Sequence, residues 1–178
     1  TVANVKQSVI VFSCLRPELS LNLLDRFLLY SEYNKIKPVI CINKIDLEST
    51  EKVDALAEPY EYAGYKVLRT SIVLMQGIDK LREQLKNNIT VFTGPSGVGK
   101  SSLLNSLQPS FNLKTGMVSE KLKRGKNTTR YCELLEIENN SFVVDTPGFS
   151  SIDMSYLRKE ELQYYFPEFD KYIYKCKY

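Results

Sequence analysis

The stretch Gly94-Pro-Ser-Gly-Val-Gly-Lys-Ser101 decides the fold. It matches the pattern G-x-x-x-x-G-K-[ST], and it follows the apolar run Ile89–Thr93, which is typical of a buried strand. Glycines let the backbone wrap closely around phosphate oxygens, and a helix that begins near Gly99 would direct its N-terminal amides at them. The sequence therefore predicts a strand, a phosphate-binding loop and a helix, in that order.

Side chains in this loop have distinct roles toward a nucleoside triphosphate. Lys100 would reach the β- and γ-phosphates, which also makes it a candidate catalytic residue, and the Ser101 hydroxyl would ligate Mg²⁺. The predicted phosphate-contacting residues are Gly94, Pro95, Ser96, Gly97, Val98, Gly99, Lys100, Ser101 and Ser102.

Asn43-Lys-Ile-Asp46 follows another strand-like run and has the groups that recognise guanine. The Asp46 carboxylate would accept from the ring N1 and the exocyclic amine, Asn43 would add polar contacts, and the Lys44 stem would cover the base. Adenine lacks those two donors and would leave the carboxylate unpaired, at a cost of about 1–3 kcal/mol. Ser71, after the strand-like residues 65–70, could lend a backbone amide to the guanine oxygen. We therefore expect guanine nucleotides rather than adenine nucleotides.

Asp145-Thr-Pro-Gly148 fits a D-x-x-G element. Asp145 would hold Mg²⁺ through water, and the Gly148 amide would sense the γ-phosphate. Thr128 or Thr129 would complete the metal shell, and the choice between them stays open; Thr129 and Gly148 are also candidate catalytic residues. The next residue, Phe149, cannot orient an attacking water, so slow intrinsic hydrolysis is expected.

The motif order indicates a circular permutation, because the base-reading residues precede the phosphate loop. Apolar runs alternate with helical patterns, as in domains with a parallel sheet. We predict an α/β, three-layer P-loop GTPase fold with a mainly parallel sheet, whose strands end at the loops named above. One helix is expected over residues 50–63, although Pro59 should kink or shorten it.

Composition excludes several other classes. The chain has 178 residues, 43% of them hydrophobic and 25% charged, which fits one soluble domain and excludes whole-chain disorder. It has no histidine, so Ser-His-Asp chemistry and histidine metal ligation are excluded. Its four cysteines stand far apart, without a C-x-x-C pair. No apolar run is long enough for a membrane span and no signal pattern opens the chain, so we expect a cytoplasmic monomer without membrane contact.

Residues 114–130 concentrate positive charge. Their net charge is +5, whereas the net charge of the whole chain is +3, so the rest of the chain sums to −2. The segment also lacks apolar periodicity. Such a segment favours a phosphate-rich partner, although a solvated basic loop is the alternative. The candidate RNA-binding residues are Lys121, Lys123, Arg124, Lys126 and Arg130.

Together these motifs resemble the circularly permuted, ribosome-associated RsgA (YjeQ/YloQ) GTPases. The resemblance rests on residues 43–46, 94–102, 124–130 and 145–150 and on Phe166-Pro167. It implies GTP and GDP as ligands, Mg²⁺ as cofactor, and a role late in assembly of the small ribosomal subunit, with contact to its rRNA and stimulation by it. It also implies a GTPase domain over residues 1–158 and the start of a C-terminal extension over residues 159–178.

The family's full form adds an N-terminal OB-fold and a C-terminal zinc module, and this sequence includes neither. Cys176 stands where the first Zn²⁺ ligand of that module would be, so the zinc site is incomplete here. Two other interpretations stay open: a generic P-loop ATPase or kinase, and a non-enzymatic RNA-binding assembly module.

Overall fold

The fold follows from alternating strands and helices, seen here in a computed structural model. The structure describes residues 5–111, 113, 133–138, 140–145, 152–155, 157–173 and 175. Its strands are β1 (Gln7–Ser13), β2 (Lys37–Asn43), β3 (Lys66–Thr70), β4 (Ile89–Thr93), β5 (Glu133–Glu138) and β6 (Ser141–Asp145). Its α-helices are α1 (Leu21–Tyr33), α2 (Thr50–Tyr62), α3 (Ile78–Leu85) and α4 (Lys100–Leu107). Short 3₁₀ segments cover Ile45–Leu47, Pro109–Phe111, Lys159–Tyr165 and Pro167–Phe169.

The six strands form one sheet in the order β3-β2-β1-β4-β6-β5. All neighbours are parallel except β5 and β6, which form an antiparallel hairpin at one edge. Chain order reverses between β1 and β4, and in open α/β sheets ligands bind in the crevice at the carboxyl ends of strands at such a point. The predicted fold class is confirmed.

Helices cover both faces of the sheet. Alternate residues of β1 enter different cores, because successive side chains of a strand point to opposite faces. Val9 and Val11 pack in a cluster that contains residues of α3 and α4, whereas Ile10 and Phe12 pack with residues of α1 and α2. This three-layer arrangement fixes the strands, and therefore the loops that follow them.

Helix α2 spans nearly the predicted residues, and Pro59 does not shorten it, because the helix continues through Pro59 to Tyr62. The proline removes one backbone donor, whose partner would be the carbonyl of Ala55. Both residues are exposed, so water can serve that carbonyl. The Pro59 carbonyl itself accepts from the Ala63 amide at 3.0 Å, which closes the end of the helix.

No helix in the described part of the chain is both long and apolar enough to cross a lipid bilayer.

Candidate nucleotide-binding site

Four strand ends bring the predicted site residues to one edge of the sheet. Asn43 ends β2, Ser71 follows β3, Gly94 follows β4, and Asp145 ends β6. Asp145 is in register with Phe92, two residues before the phosphate loop. The topology therefore gathers elements that lie about 100 residues apart in the sequence.

The phosphate loop requires glycine at two positions. Gly94 has φ +135°, and a Cβ there would lie 2.1 Å from the Val11 carbonyl oxygen of β1. Gly99 has φ +99°, and a Cβ there would lie 2.5 Å from Asn43 Nδ2. Because neither β1 nor the buried Asn43 has room to retreat, these glycines let the loop lie directly against its neighbours.

Lys100 opens α4 and folds back into the loop. Its Nζ donates to the carbonyl oxygens of Gly94 at 2.9 Å and Pro95 at 2.7 Å, and the residue is only 8% exposed. The loop backbone thus holds the ammonium group, at the place where the motif predicts phosphate. Ser101 and Ser102 follow in the first turn of α4 and stay partly exposed.

Asn43 connects three segments of the site. Its Nδ2 donates to the Val98 carbonyl at 2.9 Å, and its Oδ1 accepts from the Thr70 hydroxyl at 3.0 Å. The residue is 1% exposed. Its amide therefore ties the end of β2 to β3 and to the phosphate loop, a role that the sequence did not predict; a contact with the base stays a prediction.

Lys44 connects the base-reading loop to the phosphate loop and to the loop after β1. It has φ +60°, and its Nζ donates to the carbonyl oxygens of Gly97 and Arg16, both at 2.7 Å. Its own carbonyl accepts from Cys14 Sγ at 2.9 Å, and burial raises the pKa of that thiol. The sequence gives no signal for Cys14 and Arg16, because the loop after β1 matches no nucleotide-binding motif.

The Ser71 hydroxyl holds Asp46 in position. It donates to Asp46 Oδ1 and accepts from the Leu74 amide at 3.1 Å. The Ser71 backbone amide, which we expected to face the guanine oxygen, instead donates to the Gln76 carbonyl at 3.0 Å. In this structure Ser71 therefore contributes its side chain, which orients the predicted base-reading carboxylate, and a contact between its backbone and guanine stays a prediction.

Two of the residues predicted to bind Mg²⁺ belong to elements at this edge. Ser101 lies in the first turn of α4 and Asp145 is the last residue of β6, and their binding of Mg²⁺ stays a prediction. Within the described ranges, no group of three or more histidine, cysteine, aspartate or glutamate residues could hold a metal by itself. The remaining predicted site residues lie outside the described residues: Thr128, Thr129, Gly148, Cys176, Lys121, Lys123, Arg124, Lys126 and Arg130.

Fold and site together define a P-loop domain in which the base-reading loop precedes the phosphate loop, the circularly permuted arrangement. A family model for the RsgA GTPases matches residues 1–155, and the chain belongs to this family.

Similar proteins and solved structures support this assignment to the RsgA GTPase family. The chain is 48% identical to a small ribosomal subunit biogenesis GTPase RsgA from Clostridium kluyveri, over 99% of this chain and 61% of the relative. It is 38% identical to the crystal structure of YloQ, a circularly permuted GTPase, with a TM-score of 0.75 over 98% of this chain and 55% of that one. YjeQ from Thermotoga maritima is also 38% identical, with a TM-score of 0.76 over 94% and 56%. The chain spans about three fifths of the length of the curated relatives it matches.

Proposed function

We propose that the protein binds GTP, hydrolyses it to GDP and phosphate, and thereby serves assembly of the small ribosomal subunit. The observation that carries the proposal is the junction between the base-reading loop and the phosphate loop. Asn43 and Lys44 bond to the carbonyls of Val98 and Gly97, while Ser71 orients Asp46. One guanine nucleotide can therefore engage both loops. The names of the relatives support the link to the small subunit.

In the proposed mechanism, Lys100 supplies the positive charge at the phosphates. Its ammonium group now donates to two loop carbonyls, and a rotation of the side chain would exchange these for oxygens of the β- and γ-phosphates. The backbone amides of residues 94–102 would complete the cradle. This arrangement places donors where charge develops during phosphoryl transfer.

Metal binding and γ-phosphate sensing fall to the elements around β6. Ser101, Asp145 and either Thr128 or Thr129 would hold Mg²⁺, which, when bound, neutralises charge on the phosphates. The Gly148 amide would contact the γ-phosphate. Because Phe149 cannot orient water, we propose that contact with the subunit supplies or positions the missing group.

Partner recognition would use the basic segment. We propose that Lys121, Lys123, Arg124, Lys126 and Arg130 contact rRNA phosphates, and that the protein acts as a cytoplasmic monomer. Residues 1–158 would form the GTPase domain, and residues 159–178 would begin an extension in which Cys176 binds Zn²⁺ only together with the rest of the zinc module.

GTP turnover by the chain, alone and with purified small subunits, tests this function. We expect slow turnover alone, a clear increase with subunits, and no comparable turnover of ATP. Lys100→Ala should abolish turnover while the folded structure persists, because its contacts serve the loop rather than either hydrophobic core. Normal turnover by a folded Lys100→Ala variant would contradict the proposed site.

A charge-matched pair of variants tests the proposed rRNA contact. Replacing Lys121, Lys123, Arg124 and Lys126 with alanine should remove stimulation by subunits and flatten its salt dependence, while GTP binding stays nearly normal. The control replaces four exposed lysines in the described part of the chain, Lys37, Lys66, Lys80 and Lys159, and removes the same charge. Equal stimulation of both variants would contradict the rRNA contact.

A further inference from the structure

A cavity of about 250 Å³ lies where the C-terminal 3₁₀ segments pack on α1 and α2. Its walls include Asp25, Tyr60, Tyr65, Tyr165, Phe166 and Glu168. Tyr60 is near the end of α2 and Tyr65 directly precedes β3. The cavity therefore lies toward the edge of the sheet opposite the phosphate loop, and the proposed GTPase site does not use it.

Two carboxylates, Asp25 and Glu168, line this cavity, and a third, Glu32, interacts with its wall residue Tyr65. The Tyr60 hydroxyl donates to Asp25 Oδ1 at 2.8 Å, and the Tyr65 hydroxyl donates to Glu32. Glu168 differs, because its Oε2 is buried and finds no hydrogen-bond partner among the described residues. A buried carboxylate oxygen without a donor is costly, so the site lacks a group that would complete it.

The negative charge around the cavity is not balanced within the described ranges. None of the ion pairs formed there includes Asp25, Glu32 or Glu168. Burial raises the pKa of Glu32, and the charges of Glu168 and Asp170 raise it further. Carboxylates that form no ion pair with the described residues create a potential that attracts a cation.

The walls favour an organic cation over a metal ion. Faces of tyrosine and phenylalanine rings attract guanidinium and ammonium groups, whereas a metal would need several oxygen ligands in their place. Among the described residues no group suited to a metal occurs. The volume is also below the roughly 300 Å³ at which pockets for drug-sized ligands begin, which suits a single group of side-chain size.

We propose that this cavity binds one guanidinium or alkylammonium group, held between the aromatic rings and paired with the free oxygen of Glu168. The cation is either a small metabolite or a basic side chain of a protein.

Titration of the 178-residue chain with 1-butylguanidinium tests the proposal, with tyrosine ring signals followed by NMR. The neutral isostere N-butylurea is the control ligand. We expect saturable shifts at Tyr60, Tyr65 and Tyr165 with the cation, and at least tenfold weaker binding of the urea. Equal binding of the two compounds, or no saturable shift with the cation, would overturn the proposal.

Two variants locate the bound charge. Glu168→Gln should weaken binding of 1-butylguanidinium about tenfold, because a charged hydrogen bond becomes a neutral one. Glu160→Gln changes an exposed residue in the preceding 3₁₀ segment, Lys159–Tyr165, and should leave binding unchanged. Should Glu168→Gln fail to fold, Asp25→Asn replaces it. Equal effects of the pocket and control variants would refute the assignment to this cavity.

A short peptide, Gly-Ser-Arg-Ser-Gly, distinguishes the two sources of the cation. Tighter binding of the peptide than of 1-butylguanidinium assigns the cavity to a basic side chain of a protein. Tighter binding of the free cation assigns it to a metabolite.

Discussion

Alanine at Gly99 tests how closely the phosphate loop depends on Asn43, and Gly64 provides a matched control. The two glycines have nearly the same φ, +99° and +97°, in the region that L side chains rarely adopt. A Cβ at Gly99 would lie 2.5 Å from Asn43 Nδ2, whereas a Cβ at Gly64 would meet nothing within 4 Å. The two substitutions therefore share the conformational strain, and only one of them adds a collision.

The expected difference follows from these contacts. The shared strain costs about 1–2 kcal/mol and is partly offset by about 0.4–1 kcal/mol from the less flexible unfolded chain. At Gly99 the Asn43 amide must also move and lose its 2.9 Å bond to the buried Val98 carbonyl, at a further cost of about 1–3 kcal/mol. Gly99→Ala should thus lower the melting temperature by about 3–10 °C more than Gly64→Ala.

Urea and thermal unfolding measure this difference. They are carried out without nucleotide, so that ligand binding does not change the measured stability. Far-UV circular dichroism is the suitable probe, because the chain has no tryptophan. Equal losses of unfolding free energy in the two variants would refute the reasoning, because they would mean that Asn43 does not brace the phosphate loop.

Two further predictions concern titratable groups. The pKa of Glu32 is raised in the folded protein, so its protonated form is favoured there and stability falls as pH rises from the ordinary value of about 4.3 through the raised one. Glu32→Gln should therefore raise the melting temperature at pH 7, with the gain disappearing near pH 4; a gain that grew with acidity would contradict this. Burial raises the pKa of Cys41 to about 12, so at pH 8 iodoacetamide should leave Cys41 unmodified in the native protein and modify it after unfolding. Peptide mass spectrometry detects the modification of Cys41. Rapid labelling of the native protein would contradict the prediction, because it would show that the thiol is accessible.

Most of the fold could be predicted from local sequence. Apolar runs of four to six residues located the strands, and the motifs at their ends determined which edge carries the site. The helix bounds were also close, because Gly64 and Gly99 stand at their limits. Pro59 does not shorten the helix, and the sequence could not show this, because the cost of a proline depends on whether the carbonyl it leaves unbonded can reach water.

The connections within the site could not be predicted in the same way. Lys44 donates to Arg16 and Gly97, which lie 28 and 53 residues away in the sequence. The bond from Ser71 to Asp46 likewise depends on how β2 and β3 are aligned. The cavity beside Glu168 combines residues of two helices with the C-terminal segment, and no motif marks it. Such contacts arise from the packing of residues that are distant in the sequence. A motif indicates only the residues expected to bind the ligand.

The base specificity conferred by Asp46 distinguishes a guanine-nucleotide site from any other P-loop site. Calorimetric titration of the chain and of its Asp46→Asn variant with GTP and with xanthosine triphosphate should give opposite preferences, because an amide donates to the xanthine oxygen where the carboxylate accepts from guanine. We expect the variant to lose affinity for GTP and to gain affinity for xanthosine triphosphate. Unchanged GTP affinity in a folded Asp46→Asn variant would contradict the guanine-reading site, and with it the proposed GTPase.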